Sequence, residues 1–268
     1  MKRIQLFEFE DFSWFPSTWR STMTKLIVVM HRLLGTKEVF GNLLLKTMGE
    51  IEFNQIVDMG SGSGGTMPTV VEYLNEQHSG TPVKLMLTDL HPNQHFVKSF
   101  NEAEHVNMTY NPRPLDASNL SNAPEGLKTM VNSFHHMPPP VARKILSTAQ
   151  DNQQPILIYE MAENKIPTVV WVLLLPLSLL ITALMAIVMV PFVKPLNWKD
   201  ILFSWLIPVI PIFYAWDGQA SMPRMYTFDD IKNELLPAAR EDYTWEMAQA
   251  KKEDGKPLGY YILGLPST

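Results

Sequence analysis

Cysteine is absent from the 268 residues, which excludes disulfides, thiolate metal sites and cysteine nucleophiles and agrees with a reducing compartment. Positive charge is scarce as well. Lysine and arginine number 22 against 27 aspartates and glutamates, a net charge of −5. With no basic stripe interleaved with aromatics, a nucleic acid is not an expected partner. Residues 1–11 lack the apolar core of a secretory signal, so the expected location of the catalytic part is cytoplasmic. No internal repeat or low-complexity tract occurs. Charge is missing altogether from residues 166–193, a stretch long enough to span a bilayer.

What is present reads as α/β. Before Glu50 the pattern is helical, with Leu26, Met30, Leu33 and Leu34 on one face, preceded by the aromatics Phe7, Phe9, Phe12, Trp14 and Phe15. This segment reads as a cap over a ligand pocket. Short apolar runs then alternate with helical stretches at 56–59, 84–88, 108–110, 128–134 and 156–159, the signature of a parallel sheet with crossover helices. Near the C-terminus a helix opened by Thr227, with Asp230 completing a capping-box pattern, precedes two strands at 243–248 and 258–263. The polar loop between them suits an antiparallel hairpin. The expected organisation is a helical cap (1–50), a Rossmann-like core (51–165), an apolar insertion (166–216) and a closing helix and hairpin (217–268).

The first strand runs into Asp58-Met59-Gly60-Ser61-Gly62-Ser63-Gly64. Glycines here permit a tight turn and close approach to a ligand, and a helix from about Thr66 presents free amides to it. The spacing leaves two ligands open. Gly60, Gly62 and Gly64 fit an S-adenosylmethionine site, while Gly60, Gly62 and Gly65 fit the dinucleotide fingerprint. A glycine turn without a ligand is the bland alternative.

With an acidic residue followed by Gly-x-Gly-x-Gly, this loop resembles the first motif of the class I S-adenosylmethionine-dependent methyltransferases. Leu87-Thr88-Asp89-Leu90 resembles the family's ribose-binding strand end, and Leu115-Asp116-Ala117 its adenine contact. Asn132-Ser133-Phe134-His135-His136 follows the fourth strand as in that family, and the closing hairpin is similar to its antiparallel seventh strand. The resemblance implies S-adenosylmethionine as cofactor, held by Asp58, Gly60, Ser61, Gly62, Gly64, Asp89, Leu90, Asp116, Ala117 and Ser133. Two further segments, Phe7 to Pro16 and Trp216-Asp217-Gly218 with Arg224-Met225-Tyr226-Thr227, resemble parts of a bacterial, membrane-associated group of these enzymes. The alternatives are a membrane-docked module that binds the cofactor without catalysis, and a NAD-dependent oxidoreductase. A recognisable Tyr-x-x-x-Lys pair, which would favour the latter, is missing.

Methyl transfer from a sulfonium is an in-line displacement that needs alignment in a dry site and no metal. A hydroxyl or protonated amine acceptor also needs a base, for which His135, His136 and Glu160 are the candidates. Packing beneath the cofactor is the alternative role for the histidines, and capping the helix near Ile166 for Glu160. Arg224 and Tyr226 are read as orienting an anionic or carbonyl acceptor, with a surface ion pair of Arg224 with Asp217 or Asp229 as the alternative. His91 and His95 share helical spacing, but His105 does not extend it to a third ligand, and no metal is expected.

A single crossing by 168–193 would separate the closing hairpin from its sheet. A second crossing by 201–215 is too short, because 15 helical residues reach about 22 Å against a core of about 30 Å. The insertion is therefore expected to dock on the cytoplasmic face of a membrane, the inner membrane in a bacterium. Pro176, Pro191, Pro208 and Pro211 are expected to break its helices, and Trp171, Trp198, Trp205 and Trp216 to anchor it. A lid or an oligomer interface is the soluble alternative. A small lipophilic acceptor follows from either reading.

Overall fold

The structure is a computed structural model and describes residues 2–267. In chain order its elements are α1 (Ser17–Leu34), α2 (Thr36–Met48), β1 (Gln55–Met59), α3 (Met67–Gln77), β2 (Lys84–Thr88), α4 (Gln94–Glu102), β3 (Met108–Tyr110), β4 (Leu127–Val131), α5 (Pro139–Asp151), β5 (Ile156–Glu160), α6 (Thr168–Met189), α7 (Trp198–Ile201), α8 (Val209–Arg224), α9 (Phe228–Asp230), β6 (Tyr243–Lys251) and β7 (Pro257–Pro266). Internal contacts divide the chain into a sheet unit, 35–162 and 228–268, and a helical unit, 1–34 and 163–227.

The sheet unit has strand order β3-β2-β1-β4-β5-β7-β6. The first five of these pair in parallel, and β7 lies antiparallel between β5 and β6. This is a Rossmann-like arrangement with the antiparallel C-terminal hairpin expected from the sequence. Its central strands read as continuous apolar runs because they are buried on both faces, as Ile56, Val57, Leu127, Leu157 and Ile158 are. With Asp58 and Thr129, Lys128 is one of the exceptions. Fully buried on β4, it donates to Pro124 O, Gly126 O and Gln154 Oε1 at 2.6–2.9 Å, which satisfies all three ammonium hydrogens. Burial lowers its pKa to about 8.

The fourth strand is shorter than the apolar run 128–134 suggests. It ends at Val131 because Asn132 takes a left-handed φ of 50° and turns the chain into a short 3₁₀ segment, Phe134–His136. The closing helix is likewise only one α turn, continuing as the π turn Ile231–Leu235.

In the helical unit, α6 runs unbroken through Pro176, so that proline does not break the helix as expected. Further along it, Ser178 donates to Leu175 O and Thr182 to Ser178 O. Pro191 does lie where the helix tightens to a 3₁₀ turn, and Pro208 stands at the start of α8. The second apolar run is an 80° bend, α7 and a π turn (Leu202–Leu206) leading into α8, which continues past Ala215 to Arg224. Helices α6 and α8 are antiparallel, since Thr182 accepts from Gln219 while Ile187 O accepts from Trp205. Between the ends of these helices and α1 lies a core of Phe15, Met23, Leu26, Ala186, Val190 and Ile210. Leu26 is buried there, but Leu33 and Leu34, on the last turn of the helix, are exposed. The helix ends beside them, at Gly35, whose φ is 79°.

Candidate functional site

Each parallel strand delivers one chemical group at its carboxyl end, the edge where open α/β sheets bind ligands. In the β1 register Asp58 stands beside Leu87 on one side and Thr129 on the other. Its carboxylate is buried and accepts Ser61 Oγ at 2.6 Å and Thr129 Oγ1 at 2.8 Å. Burial pushes Asp58 up to about 7 against the pull of these two hydrogen bonds, and the charge on Asp89 adds to the rise. Asp58 therefore shapes the loop from beneath. Ser61 links the two strands: its amide donates to Thr88 O, and its hydroxyl accepts from the Thr88 amide.

The loop above is built on left-handed glycines. Gly60, Gly62, Gly64 and Gly65 all have φ between 52° and 90°. At Gly62 and Gly65 an added Cβ would meet nothing within 4 Å, so the backbone borders open space. At Gly64 it would press Phe96 at 3.1 Å, which makes that glycine a packing requirement. The Gly62 amide donates to Asp89 Oδ2 at 2.9 Å, and Asp89 Oδ1 accepts from the His91 amide. Tyr110, at the end of β3, donates its hydroxyl to Gly62 O. Burial raises the pKa of that phenol, which keeps it a donor.

The remaining cofactor candidates surround this loop. Leu90 is exposed beside Asp89, and the Leu115 amide donates to Asp89 O, which ties the segment carrying Asp116 and Ala117 to the β2 end. Asp116 is exposed, accepts from the Ser118 amide, and lines a polar cleft of about 480 Å³ with Asn119, Lys144 and Ser147. Ser133 lies against Gly60, its Oγ 3.4 Å from where a Cβ would stand.

Beyond β4, the two carboxylate oxygens of Glu160 both engage His135. Oε1 accepts from its amide and Oε2 lies against Nδ1, each at 2.9 Å. His135 is 4% and Glu160 0% exposed. A proton on Nδ1 lets the ring donate to Glu160. Glu160 thus positions His135. It does not cap α6, whose N-cap is Pro167 without a side-chain bond. The His136 ring packs on His135 with centroids 4.3 Å apart. Asn132 braces the pair by accepting from the Met161 amide at 2.7 Å.

Arg224 and Tyr226 belong to the helical unit. Arg224 is 1% exposed and pairs with the equally buried Glu8 at 3.0 Å and with the exposed Asp11 at 2.7 Å, which corrects the reading of a surface pair with Asp217 or Asp229. Asp217 accepts from the Phe9 and Glu10 amides, and Arg3 lies over the Tyr226 ring. These residues knit the N-terminal segment to α8. Sequence reasoning missed Tyr110, Thr88 and Thr129; the available signal was a polar group within a short apolar strand.

Fold and site together define a Rossmann-like α/β protein with a glycine-lined ligand cradle at the carboxyl edge of its parallel strands. No family model and no curated protein matches the chain. Among solved structures it is similar to the plantazolicin methyltransferase BpumL in complex with SAH, 11% identical with a TM-score of 0.49 over 94% of this chain and 98% of that one. It is also similar to the plantazolicin methyltransferase BamL in complex with a triazolic desmethylPZN analog and SAH, at 11% and 0.47 over 94% and 98%. A SAM dependent methyltransferase from Aquifex aeolicus matches at 12% and 0.38 over 85% and 89%. What those proteins bind and methylate is a property of theirs.

Proposed function

We propose that this protein is an S-adenosylmethionine-dependent methyltransferase acting on a small lipophilic acceptor. The contact of Gly62 with Asp89, at the edge of a sheet completed by an antiparallel strand between β5 and β6, carries the reading. A dinucleotide fold ends in a sixth parallel strand, so the strand order favours the first of the two glycine readings. The residues present suit the cofactor. A carboxylate offers about four lone-pair sites, and Asp89 has two backbone partners at 2.8–2.9 Å, which leaves acceptor capacity for ribose hydroxyls. Open space at Gly62 and Gly65 leaves room for a ligand against the backbone. Asp116 and Ala117 would meet the adenine.

The cofactor, when bound, supplies an electrophilic methyl group on a cationic sulfur. The protein's share is to align the acceptor, exclude water and take a proton from a hydroxyl or ammonium group. His135 is suited to the last task because the Glu160 carboxylate orients its ring. The lipophilic acceptor is supported by α6, whose outward residues Val169, Leu173, Leu180 and Val188 are all more than half exposed.

Titration calorimetry with S-adenosylmethionine and S-adenosylhomocysteine is expected to show saturable binding, and NAD none. Tritiated methyl from the cofactor is expected to pass into an organic-soluble product when the protein is given a membrane lipid extract. Failure to bind either form of the cofactor would overturn the proposal; binding without turnover would reduce the protein to a cofactor-binding module.

A further inference from the structure

The helical unit carries an apolar surface whose partner is written in its charge distribution. Helix α6 has 22 residues and is long and apolar enough to cross a membrane, yet 11% of its most apolar stretch is buried. Leu173, Leu177, Leu180, Leu184 and Val188 recur at helical spacing and are 52–74% exposed, one uninterrupted greasy stripe. Beyond its end, Phe192, Trp198, Trp205 and Leu206 are also more than half exposed. The Trp205 indole already donates to Ile187 O at 3.0 Å, so its ring can enter hydrocarbon without stranding a donor.

The cations at this end have little acidic company. Across 12–37 and 166–216 the single acidic residue is Asp200, which is buried and paired with Lys25 at 2.8 Å. Arg32, Lys194 and Lys199 are exposed. By sequence the helical unit contains nine lysines and arginines against six acidic residues, +3, which leaves −8 of the overall −5 to the sheet unit. A chain acidic as a whole thus concentrates its positive charge on the part with the exposed apolar stripe.

Chain connectivity decides how α6 can lie. Its N-terminal end follows Ala162, the last residue of that stretch of the sheet unit, by six residues. Beyond its C-terminal end, Phe192 O accepts from Arg32, and Gly35, where the sheet unit resumes, is three residues further along. Three extended residues reach about 11 Å at most. The helix is ~33 Å long at ~1.5 Å per residue. Had α6 crossed a bilayer, singly or as a hairpin with α8, the sheet unit would be tied within a few residues to both sides of a hydrocarbon core about 30 Å thick.

We infer that the helical unit seats in the interface of an anionic bilayer, with α6 lying in the membrane plane, its stripe from Leu173 to Val188 at the acyl boundary, and Arg32, Lys194, Lys199 and Trp198 among the headgroups. The inference stands on the helical unit and is independent of methyl transfer.

Sedimentation of the full-length protein with vesicles tests it. Binding to vesicles of phosphatidylcholine with 30 mole per cent phosphatidylglycerol is expected to be at least tenfold tighter than to phosphatidylcholine alone. Lys194→Gln and Lys199→Gln are each expected to weaken it about fivefold. Leu173→Asp with Leu180→Asp, at exposed positions that leave the circular dichroism unchanged, is expected to abolish it. Because the chain lacks cysteine, nitroxides on Leu173→Cys, Leu180→Cys and Val188→Cys report depth without background, and equal depths are expected. Depths graded along the helix would overturn the in-plane placement, and equal affinity for both vesicles would overturn the anionic preference. A stable dimer in ultracentrifugation that ignores both vesicles would assign the stripe to a second copy of the chain instead.

Discussion

His135 and Glu160 show how one buried ion contact turns a common side chain into a directed one. Both carboxylate oxygens of Glu160 are committed to His135, one to its amide and one to Nδ1. In Glu160→Gln the amide can still accept from the backbone, but the carboxylate that orients the ring through Nδ1 is lost. We expect kcat to fall about a hundredfold to ten-thousandfold, the usual share of a positioned base, with S-adenosylhomocysteine affinity unchanged. Stopped-flow single turnovers read this directly; equal loss of cofactor binding would make the pair a merely structural one. Three other buried groups set the response of stability to pH. Burial lifts Asp58 and Asp217 to about 7 and lowers His31 to about 4. A carboxyl protonated when folded and ionised when unfolded binds more protons in the folded state, so between about pH 4 and 7 its contribution falls as pH rises. His31 works oppositely, losing stability as pH drops from 6.5 toward 4. Two carboxyls outweigh one imidazole between pH 5 and 7, and melting temperature from these groups is expected to decline across that range. Asp58→Asn should flatten the decline, and an unchanged slope in its melting curves would show that Asp58 is ionised throughout.

Among the elements, β7 does more than complete the sheet. It pairs with β5 from Ile156 to Glu160, so its register holds the strand end that carries Glu160. Gly259 makes this approach feasible. Its φ is 81°, and an added Cβ would stand 2.0 Å from Glu160 O and 2.7 Å from Met161 Cα. Gly259→Ala is therefore expected to cost about 2–4 kcal/mol, from the left-handed backbone and the overpacking together, and to lower activity by displacing Glu160. Gly255→Ala, left-handed at φ 80° but with open space around it, is the control and should cost about 1 kcal/mol. Urea denaturation of the two variants decides the matter, and similar losses would mean that β7 yields to the methyl. The strands were legible in the sequence because doubly covered parallel strands are mainly apolar. The end of β4 was not, since Phe134 continues the apolar run, and the turn at Asn132 becomes evident only with its left-handed backbone in view.

At the scale of the whole molecule, charge is partitioned between two units of different chemistry, −8 on the sheet unit and +3 on the helical one. If headgroup attraction holds the helical unit, vesicle affinity should fall steeply between 0.05 and 0.5 M salt as the screening length shrinks from more than 10 Å toward a few ångströms. A flat salt profile would assign the binding to the apolar stripe alone. The sequence by itself determined the glycine loop, Asp89 at the end of its strand, the order of strands and helices and the apolar insertion, because these are local patterns of spacing and hydropathy. Tertiary structure decided that Asp58 lies beneath the loop while Asp89 borders it, that Glu160 holds His135, that Arg224 is buried, and that α6 runs unbroken through Pro176. Each of these but the last depends on partners tens to hundreds of residues apart, which no pattern along the chain shows.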